Sequence, residues 1–239
     1  DIYVLNLNSG ALTRASVGAA GEQASGFCHF PDLSADGTLV VFSSRSTTFG
    51  VNTGTERTRI YLKNLATGAL EHVSVSSSGS VGNDDSEAPS ISANGRYVSF
   101  TSLATNLVSG DSNGVDDLFV RDRTNATTGR VSVTSAGGQS TPPMFTYFSN
   151  LAPVTNDGTV VFASSAADLV AGDSVAGFRD VFTGAAAAAV DNSPLIAKYK
   201  ADIKKLLAQI KAEKIKKKAT IVKKLTKKLK QVKALLAGL

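Results

Sequence analysis

The chain has 239 residues, 42% of them hydrophobic, with one Cys, two His and no Trp. That length suits one large domain or two small ones; a single Cys excludes an internal disulfide and a cysteine-based zinc site, and no run of eighteen apolar residues is present to span a membrane as a helix. The net charge of +5 hides two opposed parts: residues 1–193 carry ten basic and eighteen acidic side chains, a balance of −8, whereas residues 194–239 carry fifteen lysines against Asp202 and Glu213, a balance of +13.

The first residues, Asp1-Ile2-Tyr3-Val4-Leu5, lack the basic start of a signal peptide and read as a β-strand. Position 1 is not Met, so the chain is read as processed, trimmed or cut from something longer. Cys28 reads as a small, half-buried filler. His29 follows it directly, but neighbours in a strand face opposite sides and do not converge on one substrate. His72 lies in an unrelated repeat position.

An internal repeat is the clearest signal in the chain. Pro31-Asp32-Leu33-Ser34-Ala35-Asp36-Gly37 and Val40-Val41-Phe42-Ser43-Ser44 return as Pro89-Ser90-Ile91-Ser92-Ala93-Asn94-Gly95 and Tyr97-Val98-Ser99-Phe100-Thr101-Ser102. They return again as Pro153-Val154-Thr155-Asn156-Asp157-Gly158 and Val160-Val161-Phe162-Ala163-Ser164-Ser165. A second block follows each: Arg59-Ile60-Tyr61-Leu62, Asp117-Leu118-Phe119-Val120 and Asp180-Val181-Phe182, with Asp1-Ile2-Tyr3-Val4 as its earliest copy. The spacing is 58 residues, lengthened to 64 between Pro89 and Pro153 by an insertion near Gly137 to Asn150.

Each unit reads as four short antiparallel strands. The Pro-x-Leu/Ile-Ser strand leads through an Asp/Asn-Gly turn to an apolar strand ending at Phe42, Phe100 or Phe162, which are expected at equivalent buried positions. A longer loop leads to the third strand, and a Gly turn to a fourth at His72-Val73-Ser74-Val75 or Arg130-Val131-Ser132-Val133. Four strands in a unit of this length form one blade of a β-propeller.

These residues resemble the TolB-type propeller repeat of bacteria, whose pattern is Pro-x-Ile/Leu-Ser-x-Asp-Gly, an apolar strand ending in Phe-x-Ser, then Asp-Ile-Tyr-Val and a Gly turn. The resemblance covers residues 1 to about 183. It implies a mainly β fold of propeller blades in a secreted, periplasmic or cell-surface protein, and implies no reaction. The organisation is read as blades over 1–183, an Ala-rich linker over 184–193 and a Lys-rich helical tail over 194–239. Between three and four blades are present, and an open arc leaves exposed edges. Upstream blades, blades of another chain, or packing against something else are expected to complete it.

The loop Asp111-Ser112-Asn113-Gly114-Val115-Asp116-Asp117 carries oxygen side chains at alternate positions and a Gly, as a calcium loop does, with Asp111, Asn113 and Asp117 as ligands. The competing reading is a turn in which Asp and Asn cap nearby backbone N–H groups. The loop at 173–180 keeps the outer carboxylates and loses the middle oxygen, while the loop at 52–59 ends in Arg59, so a cation site common to all blades is excluded. Asn125-Ala126-Thr127 fits a glycosylation acceptor, a triplet that also occurs by chance.

In the tail, Ser193 suits a helix cap with Pro194 at the first helical position. Ile196, Tyr199, Ile203, Leu206 and Ile210 form one apolar seam, and Val222, Leu225, Leu229, Val232 and Leu236 form another. Such seams belong to packed helices, either a hairpin of two or one long helix with a skipped register. The lysines around them suit solvent, the acidic body of the same or a neighbouring subunit, or an anionic polymer or membrane surface. Phosphate binding would be salt-sensitive, and the lack of Arg in the tail argues against nucleic-acid base reading.

The expected function is that of a non-catalytic interaction or assembly protein outside the cytoplasm, homo-oligomeric through its tail. The alternative is an enzyme or carbohydrate-binding propeller whose funnel site needs blades absent from this chain. No Gly-x-Ser-x-Gly elbow and no pair of His at metal-ligand spacing is present.

Overall fold

The computed structural model describes residues 1–50, 57–140, 152–171 and 180–185, all within one compact unit, Asp1–Val190. The expected helical tail, with its seams from Ile196 to Ile210 and from Val222 to Leu236, lies outside the described residues, as do most of the 184–193 linker and most of the insertion near Gly137 to Asn150.

Twelve strands are described, and all of them pair antiparallel. β1 (Tyr3–Leu5) and β2 (Leu12–Arg14) form a two-stranded sheet. β3 (Cys28–Leu33), β4 (Leu39–Ser44), β5 (Arg59–Asn64) and β6 (Leu70–His72) form a four-stranded meander. β7 (Ser86–Ile91), β8 (Tyr97–Ser102), β9 (Asp117–Asp122) and β10 (Thr127–Arg130) repeat it. β11 (Thr159–Ser164) pairs with β12 (Asp180–Ala185), and Val154 bridges to Val160 where a first strand would lie.

The turn chemistry acts as the residues suggest. Gly37, Gly95 and Gly158 adopt φ of 71°, 72° and 86°, and the preceding Asp36, Asn94 and Asp157 carboxyl or amide oxygens accept the N–H of Thr38, Arg96 and Thr159. Two boundaries differ from the sequence reading. The fourth strands end at His72 and Arg130, where Val73 to Val75 and Val131 to Val133 had been expected to continue them. At that point Val73 and Val131 still donate to the carbonyls of Ile60 and Leu118, but Ser74 and Ser132 turn their hydroxyls back to accept the N–H of Ile60 and Leu118. β12 runs on through Gly184 and Ala185 because Val160 and Thr159 of β11 stand opposite them.

The core is laid down between consecutive sheets. Alternation along each strand sends Phe42 and Tyr61 to one face and Val41 and Leu62 to the other. One cluster joins Ile2 and Ala15 to Val40, Phe42 and Tyr61; a second joins Val41, Ile60 and Leu62 to Val98, Phe100 and Phe119; a third joins Leu118 and Val120 to Val154, Val160 and Phe162. Phe42, Phe100 and Phe162 are buried as expected, opposite Tyr61, Phe119 and Phe182 on the neighbouring strand.

Candidate functional site

The loop before β9 and the strand β10 meet around one cation, the guanidinium of Arg130. Asp117 is wholly buried at the start of β9, where its Oδ1 accepts from Ser132 at 2.5 Å and its Oδ2 stands 3.2 Å from Arg130 Nη1. Asp111 Oδ1 lies 3.5 Å from the same nitrogen and accepts from Gln139 Nε2 at 3.1 Å. Asn113 turns its amide nitrogen, a donor, toward Asp117 Oδ2 and the Ser140 carbonyl, while its oxygen accepts Val115 N–H. Burial and the nearby Asp117 push the Asp111 carboxyl up, with Arg130 opposing. Asp111, Asn113 and Asp117 are thus brought together, with their polar atoms engaged by Arg130, Ser132, Gln139 and Ser140. Among the described residues no group of three His, Cys, Asp or Glu stands placed to hold a metal ion.

Arg130 and Gln139 were missed in the sequence, although the 58-residue repeat carries their signal. Asp1, Arg14 and Gln23 are the matching triplet in the first unit, and there Ser16 and Gln23 donate to the Asp1 carboxylate at 2.9 and 3.2 Å. The middle unit replaces all three together, with Arg59, His72 and Val81. Arg59 donates to the Gly82 carbonyl, and His72 Nε2 shares a hydrogen bond of 3.0 Å with Ser74 while stacking on Tyr61. Burial, reinforced by the Arg59 charge, pushes the His72 imidazole down to about 4, and its Nδ1 is buried without a partner.

This histidine gives the fold a pH dependence of known sign. The folded chain resists protonation that the unfolded chain accepts from its ordinary value of 6.5 downward. Its contribution is therefore complete above pH 6.5, falls as the pH drops toward 4 and changes no further below that. At about 1.4 kcal/mol per unit the loss totals roughly 3 kcal/mol. In urea unfolding from pH 7 to pH 4, His72→Gln is expected to lose less stability than the parent chain by that margin; parallel curves would contradict it.

Two further cations tie consecutive units together. Lys63 Nζ donates to the Gly18 and Gly68 carbonyls at 2.8 and 2.6 Å, and Arg121 Nη1 donates to the Ser76 and Ala126 carbonyls at 3.2 and 2.9 Å. The two sets are offset by 58 residues, partner by partner. Burial pushes both cations down. Leu5 holds the equivalent place in the first unit and is 53% exposed.

Cys28 is buried and directs its thiol to Ser44 Oγ at 3.3 Å, whereas His29 points away, exposed, and stacks on Phe27. The pair does not converge on one point, as strand alternation requires. Asn125 is exposed, and its Nδ2, the atom a glycan would join, donates to Asp122.

The first unit differs most. Tyr3 of β1 stands where Tyr61 and Phe119 stand in the complete sheets; it is 49% exposed, against 2% and 0%. The exposed apolar side chains Leu5, Leu12, Phe27, Phe30 and Leu33 lie on the same first two units.

Neither a protein-family model nor a curated protein matches the sequence. Among solved structures, TolB from Acinetobacter baumannii is similar at 18% identity, with a TM-score of 0.42 over 76% of this chain and 34% of that one. An oligogalacturonate lyase from Vibrio parahaemolyticus is similar at 13% identity, with a TM-score of 0.43 over 77% of this chain and 41% of that one. The tricorn protease is similar at 10% identity, with a TM-score of 0.44 over 69% of this chain and 17% of that one. The chain therefore spans less than half the length of each, and proteins so different in kind select no activity for it.

Proposed function

We propose that the chain is a non-catalytic interaction and assembly module of TolB-type propeller blades that works outside the cytoplasm, with its sheets as the binding surface and its C-terminal helical segment as the tether between copies. The observation that carries this reading is the engagement of the buried charged side chains in bonds within and between the sheets. Asp117, Arg130, Lys63 and Arg121 all bond within or between units, as groups that hold a scaffold do.

The tether is proposed from the seams Ile196 to Ile210 and Val222 to Leu236 and from the opposed charges of body and tail. A single helix of that length with an open apolar stripe is marginal in water. Deleting residues 194–239 is expected to abolish oligomers, by light scattering, while the far-ultraviolet β signal persists. Raising salt alone is expected to weaken oligomers only in part, because screening reaches exposed charges and not an apolar seam. The same assembly in the truncated chain would assign the lysines to an anionic polymer or membrane surface instead.

A further inference from the structure

We infer that Asn113 is a site of spontaneous deamidation, and that the acid it leaves behind frees the loop before β9 from the Ser140 carbonyl. The reaction needs only water and is independent of whether copies of the chain assemble.

The sequence holds two Asn-Gly pairs, Asn94-Gly95 and Asn113-Gly114. Asparagine is thermolabile, most of all before glycine, which has no Cβ to shield its backbone nitrogen from the preceding side chain. That nitrogen, once its proton is lost to hydroxide, attacks the asparagine Cγ. The side-chain oxygen takes the negative charge. Collapse expels Nδ2 as ammonia, with a proton from solvent, and closes a five-membered imide. Water then opens the imide at Cγ to give aspartate, or at the main-chain carbonyl to give isoaspartate.

The fold treats the two pairs differently. Both side-chain oxygens accept an N–H from two residues on, Asn113 from Val115 at 3.3 Å and Asn94 from Arg96 at 3.0 Å, so both carbonyls are polarised. The nucleophiles differ. Gly95 is buried in the β7–β8 turn, its N–H donates to the Ser92 carbonyl at 2.8 Å, and its own carbonyl accepts from Arg123 Nη1. A Cβ placed on it would meet Leu39 Cδ1. Its nitrogen can neither lose its proton nor swing toward Asn94 without breaking that turn. Gly114 is exposed and belongs to no strand, and nothing stands within 4 Å of the place a Cβ would take. Among the described residues its N–H has no acceptor.

The product alters the contacts of the loop. The amide nitrogen of Asn113 donates to the Ser140 carbonyl at 3.0 Å and lies 3.4 Å from Asp117 Oδ2. An ionised carboxylate has no proton to donate. It sets oxygen against the Ser140 carbonyl and a like charge against Asp117. Isoaspartate also lengthens the main chain of the loop. In either product the tie to Ser140 is lost.

The test is peptide mapping by mass spectrometry on the full chain aged in mildly alkaline buffer, folded and in urea. In urea the two pairs are expected to convert at similar rates, since both precede glycine. In the folded chain Asn113 is expected to convert faster than Asn94 by about tenfold or more, the factor that one retained hydrogen bond at Gly95 supplies. Equal rates in the folded chain, or an Asn113 that stays intact when folded while it converts in urea, would overturn the assignment. Asn113→Gln, whose ring closure is larger and slower, is expected to silence the mass gain in that peptide; a gain that persists there would place the reaction on another residue. Asn113→Asp reproduces one product directly. Amide hydrogen exchange over residues 111–117 is expected to quicken in it, and unchanged exchange would overturn the release from Ser140.

Discussion

Asp117→Ala is expected to lower the unfolding free energy by about 3–5 kcal/mol, the cost of removing the closer of the two carboxylates that face the buried Arg130. The Asp117 side chain is wholly inaccessible and that of Arg130 nearly so. Removing the carboxylate strips Arg130 and Ser132 of an acceptor at once, and Asp111 alone, 3.5 Å away, remains to face the guanidinium. Since domains are stable by only about 5–15 kcal/mol, the urea midpoint should fall steeply. Adding Arg130→Ala to that variant should cost little more, because the charge left stranded is then gone. Two independent, additive losses would mean that the pair is not coupled.

Phe100→Ala is the second large effect, expected at about 3–5 kcal/mol for truncating an aromatic in a packed interior. Phe100 is wholly buried, stacked on Phe119 at 5.9 Å and part of one core cluster with Val41 and Leu62 of the preceding sheet. The informative control is Tyr3→Ala, at the repeat position of Phe119. Half-exposed in the single chain, it should cost well under 1 kcal/mol in dilute protein, in the range of ordinary surface substitutions. A loss at Tyr3 as large as that at Phe100 would mean the β1 edge is already covered in solution.

The fold was legible where the repeat was exact. The recurring motif placed Phe42, Phe100 and Phe162 at equivalent buried sites, and the Asp/Asn-Gly turns fixed the hairpins, because both signals are local and recur. The fourth strands were misplaced toward Val73 and Val131, since their alternating apolar pattern resembles a strand while Ser74 and Ser132 use their hydroxyls to leave the ladder. The loop at Asp111 to Asp117 was legible as a cluster of oxygens but not as an ion pair. The cation arrives from β10, thirteen residues beyond Asp117, and only comparison of Asp1, Arg14 and Gln23 with Asp117, Arg130 and Gln139 links them. In the first unit Arg14 lies over the Tyr3 ring instead, 5.6 Å from its centroid, and Asp1 accepts from Ser16 and Gln23.

The mass of the full chain in solution, by sedimentation equilibrium over a range of protein concentration and at low and high salt, tests the assembly account most directly. Particles of two or more chains are predicted, persisting in part at high salt because the contacts proposed between copies are largely apolar. A single-chain mass at every concentration and both salt conditions would contradict it.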